Sequence, residues 1–250
     1  MLHQRSANEA RQNQRRIQVN GHEYVLSAYI GMAPVRGTYV DGNEVNDNAL
    51  PQGFLVQQPP GSVTPPHFHE VNQFQVFVGG DGKLGKKAAG PLTVQYAGGH
   101  TPYGPIEAGE AGVLYFTLRA AWDPGAKYMP QSRDRLERGR QRQTMARPVT
   151  PCDPGELRAL ASPALLPLID REEDGMASWL LRLAPGMTAR IPDPSDGGGQ
   201  YHVVAGGTLI RDGEEMPRLS CLFATTDEPA YEACAGADGL ELLVLQFPAG

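Results

Sequence analysis

The stretch PPGSVTPPHFHEVNQFQVFVGG, residues 59–80, carries two of the chain's six histidines, one residue apart. It opens on a Pro-Gly turn and closes on Gly79-Gly80. The segment QFQVFV between them has the β-branched and aromatic content of a strand. Residues i and i+2 of a strand project from one face, so His67 and His69 present their imidazoles together, as a chelating pair does. Pro65-Pro66 stiffens the approach to them. Taken alone the pair is also compatible with two surface histidines alternating around Phe68. Gln73 stands where a metal site would be expected to supply a carboxylate, and by the same alternation Gln75 and Phe77 share its face.

Outside this stretch the chain repeats the same vocabulary. Its 250 residues include 30 glycines and 22 prolines, spread throughout. Short apolar runs between frequent turns predict an all-β protein. Three cysteines without C-x-x-C spacing read as reduced thiols. No apolar run approaches a membrane span and the first residues lack an apolar signal core, so the expectation is a cytoplasmic protein without a membrane partner. The net charge is −6, yet residues 1–20 carry +3 and residues 131–147 carry +4. Neither arginine-bearing stretch contains an aromatic residue or a groove-reading motif, which argues against a nucleic-acid partner. GGDGKLG (79–85) lacks phosphate-loop spacing and reads as a hairpin turn.

The chain also reads as one unit written twice. GFLVQQPPGSVTPPHFHEVNQFQVFVGG (53–80) aligns with SWLLRLAPGMTARIPDPSDGGGQYHVVAGG (178–207). Pro60-Gly61 matches Pro185-Gly186 at an offset of 125, and Gln73 to Gly80 matches Gln200 to Gly207 at 127. The closing strands VLYFTLRA (113–120) and LELLVLQF (240–247) keep the second offset. A fixed period of this kind signals duplication. Asp153-Pro154 supplies an N-cap and first-turn pair for a short helix between the copies.

The spacing Gly61, five residues, His67-x-His69, three residues, Gln73, six residues, Gly80 resembles the first motif of the cupin superfamily, with Gln73 in place of its glutamate. The resemblance implies two tandem double-stranded β-helix (jelly-roll) barrels, a bicupin. Its expected layout is a flexible basic arm at 1–20, an N-terminal barrel with the metal site at 21–120, a linker at 121–170 and a degenerate C-terminal barrel at 171–250. The implied metal ligands are His67, His69, Gln73 and, from the region of the family's second motif, His100. In a competing register Tyr103 takes that last position; otherwise it is a nearby hydroxyl. The second copy puts Pro192 and Pro194 where the histidines stand, and Asp193 and Asp196 read as an acidic loop. His202, matching Gln75, reads as a satisfied core residue.

The implied cofactor is a divalent transition metal, Fe(II) favoured, with Zn, Ni or Mn as alternatives. An amide in place of a carboxylate leaves the metal less neutralised and a stronger Lewis acid, so the expected substrate is a small anionic, bidentate organic molecule. Gln73 and Tyr103 are the candidate catalytic groups. An Fe(II) dioxygenase leads; a redox-neutral isomerase, cyclase or lyase, and a non-catalytic small-molecule binding cupin, stand beside it. Exposed sheet edges are compatible with a homodimer.

Overall fold

A computed structural model describes residues 1–31, 49–139 and 141–250. The chain divides into two compact units, Asn13–Met145 and Met1–Gln12 with Ala146–Gly250. Each is built around one antiparallel sheet, and no described helix is long and apolar enough to cross a membrane.

In the Asn13–Met145 unit the strands run in the order Gln143–Met145, Val94–Ala97, Gln73–Leu84, Ile106–Arg119, Gln52–Gln58, His22–Ile30, Gln14–Val19. Val63–Thr64 pairs with the start of Ile106–Arg119, and Lys87–Ala89 pairs with the end of Gln73–Leu84. A separate two-stranded ladder joins His67–Phe68 to Lys127–Tyr128. The inward faces meet in one core of Tyr24, Leu26, Phe54, Val56, Phe77, Ile106 and Tyr115 among others. The two long strands pair in two stretches separated by a bulge between Ala108 and Val113. Gly80 sits at that bend with φ +71°, and a Cβ there would meet the Gly112 carbonyl oxygen at 2.1 Å. The motif's closing glycine is therefore needed for backbone approach as well as for its positive φ.

The other unit repeats the plan. Ala164–Ile169, Ala177–Leu183, Glu232–Gln246, Gln200–Arg211 and Cys221–Ala224 are neighbours in that order. Gln200–Arg211 and Cys221–Ala224 lie 127 residues after Gln73–Leu84 and Val94–Ala97. The bend recurs too: Gly207 has φ +66° and faces the Gly239 carbonyl oxygen. A short helix, Pro154–Arg158, begins where Asp153-Pro154 predicts it, closed by a capping box between Asp153 and Glu156. The three cysteines are free thiols.

Two boundaries differ from the sequence reading. Residues 1–20 are not a flexible arm: Leu2–Arg5 pairs with Cys221–Ala224, Ala7–Gln12 is a helix with Ala7 and Ala10 buried, and Gln14–Val19 pairs with His22–Ile30. Arg15 and Arg16 stand side by side, and Arg15 shares the face of Ile17 and Val19, which masks the period-two pattern. The span 121–170 is not a free linker either. It contributes Lys127–Tyr128 and Gln143–Met145 to the first unit and Ala164–Ile169 to the second.

Candidate functional site

His67 and His69 are both buried, on the short strand that follows Pro65-Pro66. Their ring centroids lie 5.3 Å apart with the planes at 89°. His67 Nδ1 faces the Pro65 carbonyl oxygen at 2.8 Å and must donate to it. Its Nε2 is then the acceptor, and it takes the Tyr103 hydroxyl at 2.8 Å. Gln75 Nε2 donates in turn to the Tyr103 oxygen at 3.0 Å. His69 Nδ1 donates to Asp123 Oδ1 at 2.6 Å, and the same carboxylate accepts from the backbone of Glu70 and Gly125. Both imidazoles thus carry their proton on Nδ1, tied to an acceptor, with Nε2 left as the lone-pair nitrogen.

Arg119 ends the strand Ile106–Arg119 and is buried beside this pair. Its Nε donates to Gln73 Oε1 at 3.1 Å, and Nη1 donates to Gln52 Oε1. Its Nη2 lies 3.1 Å from His69 Nδ1 and 3.0 Å from Nε2. In the ring plane, a point equidistant from those two nitrogens would collide with the Cε1 between them. The guanidinium therefore rests over the imidazole face, within 3.0 Å of Nε2. Burial lowers the pKa of His67 to about 3, helped by its histidine neighbour and Arg119. Burial, then Arg119, lowers that of His69 against the pull of Asp123. Burial raises the Tyr103 phenol. Asp123 is held below the ordinary carboxylate range by His69, Arg119 and its hydrogen bonds, which outweigh its desolvation. At neutral pH the site presents two neutral imidazoles, a neutral phenol, a guanidinium and one carboxylate.

His67, His69, Gln75 and Arg119 open onto a chamber with about 520 Å³ of empty space, part of it open to solvent. Its walls are apolar and aromatic, including Leu26, Phe54, Val56, Tyr115 and Tyr128. Burial pushes the Tyr128 phenol up to about 12. Tyr96 packs edge-on against Phe74 with Arg142 over its ring.

No family model matches the chain, and no curated protein does. Solved structures do. A candidate dioxygenase from Nostoc punctiforme matches at TM-score 0.66 and 11% identity, over 98% of this chain and 82% of that one. The pirin YhhW of Escherichia coli, in complex with nickel(II), matches at 0.56 and 13% over the full length of both chains. The Streptomyces albus enzyme HEPD, with 2-hydroxyethylphosphonate and Fe(II) bound, matches at 0.57 and 10%, over all of this chain and 76% of that one. Their shared architecture is the jelly roll of the cupins. This chain has the cupin fold.

Within that fold the sequence-derived residues separate. His67, His69, Gln73 and Tyr103 converge, whereas His100 does not join them. His100 lies in a turn with φ +53°, packs on Phe68 and accepts from the Glu137 backbone at 3.2 Å. Phe68 points away from the histidine pair by strand alternation, so His100 is on the far side of the cupin wall. Tyr103 stands beside His67: its backbone exchanges hydrogen bonds of 3.0 Å with that of His67 in both directions. Sequence reasoning missed Arg119 and Asp123. The signal for Arg119 was its parity with Tyr115 and Thr117 on an alternating strand; Asp123 offered only its position just beyond.

Among the described residues no cluster of three or more His, Cys, Asp or Glu side chains could hold a metal. The donor set nevertheless suits a divalent transition metal in one respect. Ligating histidines typically have the second nitrogen tied to a carboxylate or carbonyl, and both imidazoles here are so tied. Oxygen donors would come from Tyr103 or Gln73, both neutral.

Proposed function

We propose that the Asn13–Met145 unit is a metal-dependent cupin centre acting on a small oxygenated organic anion, with Fe(II)-type dioxygenation as the leading chemistry. The observation that carries this reading is the pair of buried imidazoles whose Nδ1 protons are tied to a carbonyl and a carboxylate. Nε2 is then the unprotonated nitrogen of each and would coordinate in exchange for its present contact with Tyr103 or Arg119. His67 and His69 would hold the metal, and Tyr103 or Gln73 would complete the protein's share. The nickel(II) in one solved relative and the Fe(II) in another support the assignment. A divalent metal so bound polarises a coordinated oxygen and, as Fe(II), supports dioxygen chemistry.

The chain's own groups set what can bind. Arg119 adds a fixed positive charge beside His69, and Asp123 offsets one charge while holding the His69 proton on Nδ1. With neutral ligands, the remaining positive charge calls for an anionic substrate. Tyr103 keeps its proton because burial disfavours the phenolate, and it holds that proton at His67 Nε2. The proton must turn elsewhere when Nε2 coordinates, which makes the hydroxyl available to a bound oxygen. Gln73 orients Arg119 through Oε1, and the apolar walls exclude water.

The test is metal content by plasma mass spectrometry on protein purified without chelators, beside the His67→Ala/His69→Ala variant. Near one iron per chain, lost in the variant, with oxygen uptake on enolic or phenolic substrates, is the expected result. Zinc or nickel in that place, with turnover that persists without oxygen, would replace dioxygenation by isomerase, cyclase or lyase chemistry. No metal in either protein would overturn the metal-dependent reading and leave a small-molecule binding barrel.

A further inference from the structure

We infer that Arg15 anchors the anionic group of the ligand, and that the ligand is an organic anion with an apolar, ring-sized body and a hydroxyl at its reacting end. This rests on the chamber being the ligand site, and it deepens the reading above by giving the substrate class.

Arg15, Ile17 and Val19 alternate on the strand Gln14–Val19 and all three line the chamber. Arg15 lies opposite Leu26, Leu26 opposite Val56, and Val56 opposite Tyr115. Arg15 therefore belongs to the row of Tyr115, four residues before Arg119 along that strand, or about 13 Å at the usual rise. Among the described residues its Nη2 is buried and has no hydrogen-bond partner. A desolvated guanidinium nitrogen without an acceptor is costly, and neighbouring charge does not relieve it: Glu23 pairs with Arg16 instead. A carboxylate or phosphonate is the chemistry a guanidinium recognises. Leu26, Val56 and Tyr115 stand in the row of Arg15 and Phe54 in the next row towards Arg119, walls that fit an apolar or aromatic body. At the inner end Gln75 Oε1 is also buried without a donor, while its Nε2 serves Tyr103. An unfilled acceptor beside Tyr103 and His67 asks for a hydroxyl. The two orphaned atoms thus describe the two ends of one molecule.

The test compares 3-phenylpropionate with its neutral counterpart 3-phenylpropanol by titration calorimetry. The proteins are wild type, Arg15→Leu, Arg15→Lys and His67→Ala/His69→Ala. Wild type is expected to prefer the acid by at least tenfold. Arg15→Leu should erase that preference while the alcohol binds within twofold of wild type, and Arg15→Lys should keep part of it. Arg15→Leu should melt no lower than wild type, because an unpaired charge gives way to an apolar side chain. In His67→Ala/His69→Ala the preference should persist, so that the anchor stands even if the metal reading falls. Equal binding of acid and alcohol to wild type would overturn the proposal. So would a preference that survives Arg15→Leu, or one lost with the histidines, which would put the anion on the metal.

Discussion

His69 is held between opposite charges, the Asp123 carboxylate in line with Nδ1 and the Arg119 guanidinium over its face. Asp123 is the more consequential for coordination because it decides which nitrogen carries the proton. Asp123→Asn keeps the shape but can offer an amide donor to Nδ1, which moves the proton to Nε2. Loss of such an outer partner typically costs ten- to a hundredfold in metal affinity. Competition with a chromophoric chelator should show a loss of that size, with the limiting stoichiometry unchanged; unchanged affinity would mean His69 is not a ligand. At this scale the sequence revealed the groups whose chemistry depends on local spacing. His67, His69 and Gln73 fall within seven residues of one another, and the turn between the strands His67–Phe68 and Gln73–Leu84 brings the third to the pair. Arg119 and Asp123 act through contacts made between distant parts of the chain, and a buried arginine looks the same in a sequence as an exposed one.

Strands carry the same lesson with a different cause. The paired elements of the two units were readable because each keeps an apolar alternation between turn residues, and because each occurs twice. Leu2–Arg5 and Gln14–Val19 were not, since polar residues dominate both short segments, and the partner of the first is distant: Leu2 lies opposite Ala224. Leu2–Arg5 covers the outer edge of the apolar strand CLFA at Cys221–Ala224, and Ala7 N donates to Ser220 Oγ at 3.0 Å beside it. An uncovered apolar edge is a template for intermolecular pairing. Deleting residues 1–12 is therefore expected to lower Tm by several degrees, the scale of about 1–2 kcal/mol in a chain of this size. It should also produce concentration-dependent light scattering on heating. A truncated protein that melts and scatters as the full chain does would show that the edge needs no cover.

The two units place equivalent strands 127 residues apart, and comparing equivalent positions shows how differently each interior is filled. Gln73 and Arg119 of the first unit correspond to Gln200 and Gln246 of the second. There Gln200 Nε2 donates to Gln246 Oε1 at 2.6 Å, an amide pair where the first unit has an amide and a guanidinium. His202, at the place of Gln75, donates from Nε2 to Gln200 Oε1 and accepts the Tyr231 hydroxyl on Nδ1, each at 3.0 Å. Arg211 lies over the Tyr231 ring, 4.1 Å from its centroid. The histidine is fully satisfied in its neutral form, and burial, with a smaller push from Arg211, lowers its pKa to about 3. Its role is stability, and that role depends on pH. Unfolded, His202 takes up a proton below its ordinary value near 6.5, whereas the folded chain refuses it until about 3. The unfolded state therefore binds more protons across that window, and stability falls as pH drops through it. One such histidine contributes a slope of about 1.4 kcal/mol per pH unit inside the window. Urea unfolding of wild type and His202→Gln between pH 7 and pH 4 should show the slope reduced by about that amount in the variant, with metal content the same in both. Equal slopes would mean that His202 is protonated inside the folded barrel, and the neutral network around it would have to be redrawn.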